Sequence, residues 1–337
     1  MTCLENSWKE NRTVRKIKQL MFCVFKVLRR IEVFLSNKLR VSFPRKACRT
    51  IPMVDGLWRL RHSFYLIIYD KLRPREPVLT DVQGNKMYVN PEDRGVAPML
   101  LMDGVMEQYE TELFNTMVKK GMTVVDVGAN IGYYTLIAAK LLGKNGIVYA
   151  FEPEPATYRL LCKNITLNHY ANIVPVRKSV SNRRGKADFW IDNTAFAVSS
   201  FAKDNVLAFS KGPGSETSEG CIALEVETVT LDQFFERLLD RINVIKIDTQ
   251  GAEGLIVEGA EKILKCNRSI KVIMEFWPDG LRNVGTDPLE LLAKLTEYGF
   301  KLKRINEQKQ VLEPIQSTSE FCMRARPAEE FNLFLEK

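Results

Sequence analysis

Four carboxylates, Asp126, Glu152, Asp248 and Glu275, stand at or just past the ends of apolar runs. Those runs are 122–127, 147–151, 244–247 and 270–276. A single acid so placed reads as a helix N-cap or a solvated loop charge. Four in register, the first of them leading into a glycine turn, point to a ligand. If the runs are parallel strands of one sheet, their carboxyl ends line one crevice.

The turn Gly128-Ala129-Asn130-Ile131-Gly132 lacks the middle glycine of the dinucleotide motif G-x-G-x-x-G. An acid beside the turn repels pyrophosphate and attracts a cation. S-adenosylmethionine carries an ammonium and a sulfonium and no phosphate, so an acidic crevice suits it. On this reading Asp126 and the backbone around Gly128 and Gly132 meet its methionine end. Glu152, after the second strand, accepts the ribose hydroxyls, as the acid at that place does in dinucleotide folds. The glycines are expected either to let ligand pass close over the turn or to supply the positive φ that the turn needs.

Asp248 is the first candidate for a general base, because it ends the fourth strand beside the expected methyl group. Lys246 lies two residues back and shares its face. It either polarises Asp248, orients the acceptor or is an ion-paired strand lysine. Glu253 and Glu275 are second-line candidates. Asp248, Glu253 and Glu275 offer oxygen ligands for magnesium, but their spacing is unspecific and no metal site is assigned; the absence of C-x-x-x-C-x-x-C disfavours radical chemistry.

The elements that must position these residues follow from periodicity. Strands are expected at 122–127, 147–151, 173–176, 186–191, 226–229, 244–248 and 270–276, with tail strands near 300–305 and 320–325. Helices are expected at 107–118, 155–167, 231–239, 252–264 and 288–298. Residues 202–220 read as a loop or lid, and 78–80 with 86–89 as a hairpin around Gln83-Gly84-Asn85. Strand–helix alternation predicts a mostly parallel, doubly wound α/β sheet.

The motifs D-V-G-A-N-I-G-Y-Y-T (126–135), F-E-P (151–153), L-N (167–168), T-L-D (230–232) and I-K-I-D-T-Q-G-A-E (245–253) resemble the FkbM family of S-adenosylmethionine-dependent methyltransferases. The resemblance covers about residues 105–305. It implies a Rossmann-like class I methyltransferase fold and O-methylation of a hydroxyl on a sugar, glycolipid or related small metabolite. Matched residue by residue, it makes Asp126, Gly128, Asn130 and Gly132 cofactor contacts and Glu152 the ribose acid. Ser179-Val180, past the third strand, falls where adenine would lie, or is an ordinary loop. Tyr109-Glu110 matches a Y-E pair, in which Glu110 either helps hold the methionine end or caps its helix. Gln250 stands where the family's I-D-x-E-G-x-E motif commonly carries a glutamate.

The net charge of +8 is unevenly placed. Residues 1–75 hold 18 Lys/Arg and 5 Asp/Glu, or +13, which leaves 8 − 13 = −5 for the rest. The expected organisation is a basic helical extension over 1–75, a hairpin lead-in over 76–98 and a methyltransferase domain over 99–337. Residues 12–35 and 57–72 have helical apolar spacing, but the longest uncharged apolar piece runs only from Leu20 to Phe25, too short to span a bilayer. This arm either lies on an anionic membrane surface or packs on protein. The seven scattered cysteines fit a reducing cytosol, so the expected location is cytoplasmic, with peripheral membrane contact as the open question. The expected partner is a small-molecule or lipid-linked hydroxyl acceptor. A nucleic-acid methyltransferase is the runner-up, disfavoured because no N-P-P-Y or D-P-P-Y stands at 248–251. A non-catalytic membrane-associated binding protein is the third reading.

Overall fold

The computed structural model describes residues 16, 18–27, 68–93, 95–192, 199–210, 221–326 and 329–337. Most of both expected N-terminal helices, over 12–35 and 57–72, lies outside the described residues. The chain divides into two compact units, one of residues 1–80 with 89–106, the other of 81–88 with 107–337.

In the first unit, residues 18–27 are helical, as are 68–72. Phe22 and Tyr69 are both buried and stack with ring centroids 5.8 Å apart. The Tyr69 hydroxyl donates to the Pro91 carbonyl at 2.9 Å. Strands Val78–Val82 (β1) and Asn85–Val89 (β2) form the expected two-stranded hairpin, of which residues 81–88 belong to the second unit.

The second unit is built on an eight-stranded sheet. Its strands are Thr123–Val127 (β3), Ile147–Phe151 (β4), Ile173–Val176 (β5), Val244–Ile247 (β10), Lys271–Phe276 (β11), Lys301–Asn306 (β12), Val311–Pro314 (β13) and Phe331–Glu336 (β14). Their order is β13-β12-β14-β11-β10-β3-β4-β5. The five central strands from β11 to β5 run parallel, and β14 enters antiparallel between β11 and β12. Helices on both faces bury these strands, which explains their continuous Val/Ile content. A smaller sheet comprises Ser179–Val180 (β6), Gly185–Asp192 (β7), Ser199–Ser200 (β8) and Cys221–Val229 (β9), in the order β6-β9-β7-β8.

Local chemistry sets the helix starts. Glu154 accepts from the N–H groups of Ala156 and Thr157, with Pro155 at the first helical position, and starts the helix Pro155–Leu167. Asp287 and Pro288 repeat the device for Pro288–Glu297.

Four expectations need correction. Residues 320–325 are not a strand but part of the helix Thr318–Arg324, whose start is capped by Ser317 accepting from Glu320 N–H. Ser317 and Glu320 have the S-x-x-E spacing of a helix start, and the last strand lies later, at Phe331–Glu336. The expected loop over 202–220 contains the helix Lys203–Ser210, while 211–220 lies outside the described residues. The helix expected over 252–264 is two, Glu253–Gly259 and Glu261–Cys266, parted at Ala260 with φ −116°. The helix expected over 231–239 stops at Phe234. Strand β13 had no counterpart in the sequence reading.

Candidate active site

The strands that carry the four acids are neighbours in the sheet, in the order β4-β3-β10-β11. Connections run outward in opposite directions from β3, so β3 and β10 frame the point where the order reverses. Ligands of doubly wound sheets bind outside the carboxyl ends of such strands. Burial raises the carboxyl pKa of Glu152, Asp126 and Glu275, and each is raised further by a neighbouring acid: Asp126 acts on Glu152, and Asp248 on both Asp126 and Glu275. The four acids are thus electrostatically coupled in one line along the strand ends.

The turn after β3 is held by backbone from both sides. The N–H groups of Gly128 and Ala129 donate to the Phe151 carbonyl at 3.0 and 2.9 Å, and Asp248 N–H donates to the Val127 carbonyl at 3.0 Å. Gly128 has φ +81°, and a Cβ there would fall 1.9 Å from the Asp248 carbonyl oxygen. The positive φ expected of the turn is present at this glycine, and the atom nearest a Cβ there is protein backbone, the strand end that carries Asp248. Asn130 adopts φ 48° and turns its N–H to Glu152 Oε2 at 3.0 Å. Gly132 caps the helix Tyr133–Leu142 and donates to the Ala129 carbonyl at 2.9 Å.

Glu152 Oε1 accepts from Glu154 N–H at 2.9 Å, so each carboxylate oxygen holds one backbone N–H. Burial nevertheless pushes its pKa up to about 8. Asp126 is buried, accepts a hydrogen bond from the Thr135 hydroxyl, and is raised to about 6, chiefly by burial.

Lys246 lies opposite Asp126 in the parallel register of β10 on β3. Its ammonium sits 2.9 Å from Glu110 Oε1 and 3.3 Å from Asp248 Oδ2. It also lies 5.1 Å from the centroid of the Tyr134 ring, whose hydroxyl donates to Glu110 Oε1 at 2.9 Å. Burial alone would lower the lysine's pKa, but the charges of Glu110, Asp248 and Glu107 together raise it, so it stays protonated. Glu110 belongs to the helix Gln108–Met117, whose start is held by Glu307 accepting from the N–H groups of Tyr109 and Glu110 at 3.0 and 2.7 Å. Glu110 is therefore not the cap of its own helix. Of the three linked side chains only Asp248 reaches solvent, at 34% exposure, against 1% for Lys246 and 0% for Glu110.

Glu275 is turned to a neighbouring loop. Its Oε2 accepts Gln250 N–H at 3.0 Å and its Oε1 accepts Gln250 Nε2 at 2.8 Å. Gln250 has a left-handed backbone, φ 54°, that this pair of bonds holds. On the other side Asn205 Nδ2 and the Ser200 hydroxyl both donate to the Gln250 carbonyl at 2.8 Å. Glu253 Oε1 accepts from Thr249 and Gly251 N–H groups at 3.1 and 3.2 Å. Glu275 and Glu253 thus build the loop behind Asp248.

Ser179 and Val180 form β6, both buried and paired with Thr228 and Val229 of the smaller sheet. Several site residues escaped the sequence reading. Tyr134 lies within D-V-G-A-N-I-G-Y-Y-T, and that motif was its signal. Glu107, Glu307 and Glu330 had none. Burial raises the carboxyl pKa of Glu107, as do the charges of Glu110 and Asp248, and Asp248 acts on the exposed Glu330 as well. The antiparallel run of β14 brings residues near its start to the carboxyl end of β11, where Asn332 faces Glu275.

The residues fit a cationic methyl donor. Glu110 Oε2 is buried and has no hydrogen-bond partner among the described residues, which leaves an acceptor for an ammonium. The surrounding groups are acids except for Lys246.

Sheet order, antiparallel β14 and acidic strand ends define a Rossmann-like class I methyltransferase fold. Residues 126–302 match the family described as "Methyltransferase FkbM domain", more than half of the 337-residue chain. The chain belongs to the FkbM methyltransferase family, whose cofactor is S-adenosylmethionine.

The tRNA(Phe) (4-demethylwyosine(37)-C(7)) aminocarboxypropyltransferase of Methanocaldococcus jannaschii is 37% identical over 81 residues, 24% of this chain and 31% of that protein. Methyltransferase sdnD of Sordaria araneosa is 25% identical over 201 residues, 54% of this chain and 74% of its own. The 31-O-demethyl-FK506 methyltransferase FkbM of Streptomyces tacrolimicus is 30% identical over 162 residues, 43% of this chain and 61% of its own. The chain thus spans about a third of the first relative's length and about three fifths of the last's. Among solved structures, M. jannaschii TYW2 in complex with AdoMet aligns over 78% of this chain and 85% of its own, with TM-score 0.39 and 14% identity.

Proposed function

We propose that this protein transfers a methyl group from S-adenosylmethionine to a hydroxyl of a sugar, glycolipid or related small metabolite. The observation that carries this reading is the Glu110–Lys246–Asp248 line, in which only the last member meets solvent. A carboxylate exposed at one edge and fixed from behind by a buried ammonium is placed to receive an acceptor.

The donor supplies an electrophilic methyl on a sulfonium. Glu152 and the turn at Asn130 hold its ribose, and the free oxygen of Glu110, with Asp126 nearby, takes its amino group. Asp248 accepts the hydroxyl proton as the new C–O bond forms and the C–S bond breaks. Lys246, 3.3 Å from Asp248 Oδ2, orients that carboxylate. Gln250, Glu275 and Asn205 fix the loop on which Asp248 sits. Alignment of hydroxyl and methyl away from water is worth up to roughly 7–11 kcal/mol, with about 10²–10⁴-fold more from the base.

The test uses radiolabelled S-adenosylmethionine with pooled glycolipid and small hydroxylated metabolite fractions. Asp248→Asn should retain S-adenosylhomocysteine affinity within about threefold and lose label transfer by about 10²-fold or more. Label transfer unchanged in Asp248→Asn would remove Asp248 as the base.

A further inference from the structure

The helix at 18–27 has two unlike faces. Phe22 turns inward and is buried on Tyr69. Leu20, Met21, Val24 and Val27 stand out at 67%, 52%, 51% and 55% exposure. At about 100° per residue, Leu20, Val24 and Val27 form one stripe on the side away from Phe22. Exposed apolar residues scattered singly are ordinary, but a continuous stripe on one helix marks a binding surface. Lys16 and Lys18 are exposed on the same segment, and 16–27 contains three lysines and no acid.

We propose that this stripe docks on an anionic lipid surface, the apolar side chains entering the headgroup boundary and Lys16, on the same side of the helix, meeting lipid phosphates and carboxylates. Charge complementarity selects this occupant. Residues 1–75 carry 18 basic and 5 acidic side chains, a net +13 on a chain whose remainder is −5. Nucleic acid would satisfy the charge but leave the apolar stripe in water. A second copy would bury the apolar stripe but bring like charges together. The mode is lying on the surface rather than spanning, since among the described residues no helix is long and apolar enough to cross a membrane. The inference does not depend on the methyl acceptor or on the catalytic assignment.

The experiment is co-sedimentation of the full chain with phosphatidylcholine vesicles, with and without phosphatidylserine, alongside a single-stranded RNA binding assay and sedimentation velocity. Calorimetric binding of S-adenosylhomocysteine to every variant serves as the check on folding, and its failure in the wild-type chain would count against the methyltransferase reading alone. The full chain is expected on phosphatidylserine vesicles and not on phosphatidylcholine alone. Leu20→Asp with Val24→Asp should abolish binding, and Lys16→Glu should weaken it by at least about fivefold. Vesicle binding that survives Leu20→Asp/Val24→Asp overturns the proposal. So does RNA binding without vesicle binding, or a dimer that dissociates in that double variant.

Discussion

The Lys246 ammonium lies 2.9 Å from the Glu110 carboxylate, and both side chains are withdrawn from solvent. The two residues are 136 positions apart, one on the central strand β10 and the other on the helix before β3. Removing one member of such a pair leaves an uncompensated buried charge, a cost of about 3–5 kcal/mol. Lys246→Met should therefore lower unfolding free energy by about that amount in urea titration. Lys246→Met with Glu110→Gln should be less destabilised than the sum of the two single changes by more than about 1 kcal/mol. Strict additivity would show that the pair is not coupled.

Gly128 is fixed by the backbone of Asp248. Gly128→Ala places a methyl group against a carbonyl that cannot move without shifting β10, and its φ is +81°. The expected loss is about 4 kcal/mol or more, together with loss of cofactor binding. Gly121 has φ +80° with open space around it, so Gly121→Ala should cost only the left-handed strain of about 1–2 kcal/mol. Equal melting temperatures for the two variants would contradict the assigned contact.

Asn164 ties the motif turn to the hairpin. Its Nδ2 donates to the carbonyls of Ile131 and Tyr88 at 2.9 and 3.1 Å, and its Oδ1 accepts Tyr88 N–H at 2.7 Å. Asn168, one helical turn on, pairs with both backbone groups of Lys86. The two amides act as an extra strand edge along β2. Buried Asn164→Ala should cost about 2–4 kcal/mol and weaken cofactor binding, while Asn168→Ala, nearer the surface, should cost about 0.5–1.5 kcal/mol. Thermal melts of both variants check this order.

Glu152 makes the cofactor-free protein sensitive to pH. Its folded pKa of about 8 lies above the ordinary glutamate value of 4.5, so the folded chain holds this proton more tightly than the unfolded chain. Stability from this group is full below pH about 4.5 and is lost as pH rises towards 8, at up to about 1.4 kcal/mol per pH unit. Glu152→Gln should flatten the fall in melting temperature between those values. An unchanged slope would contradict the burial assigned to this carboxyl.

Much of this crevice was legible from local signals. Continuous Val/Ile runs ended in Asp126, Glu152, Asp248 and Glu275, and the two-residue period placed Lys246 on the face of Asp248. The partner Glu110 was legible only as half of a Y-E pair, because nothing within ten residues of it points to Lys246. Glu307 and Asn205 act through loops and helices brought in by long-range packing, and no local pattern announces such contacts. Residues 320–325 misled because the Phe-Cys-Met run resembles a short strand, while the competing start signal Ser317–Glu320 is polar. Gly128 stands out in the sequence as a turn glycine, but the backbone it must clear is defined only once β3 and β10 lie side by side.

The most direct measurement is calorimetric titration of the full chain with S-adenosylhomocysteine and, separately, NAD. Binding of S-adenosylhomocysteine alone, weakened at least tenfold in Glu152→Ala and little changed in Asp248→Asn, is the expected result (tenfold being about 1.4 kcal/mol). Binding of NAD, or S-adenosylhomocysteine affinity indifferent to Glu152→Ala, would contradict a cationic methyl donor held along these strand ends.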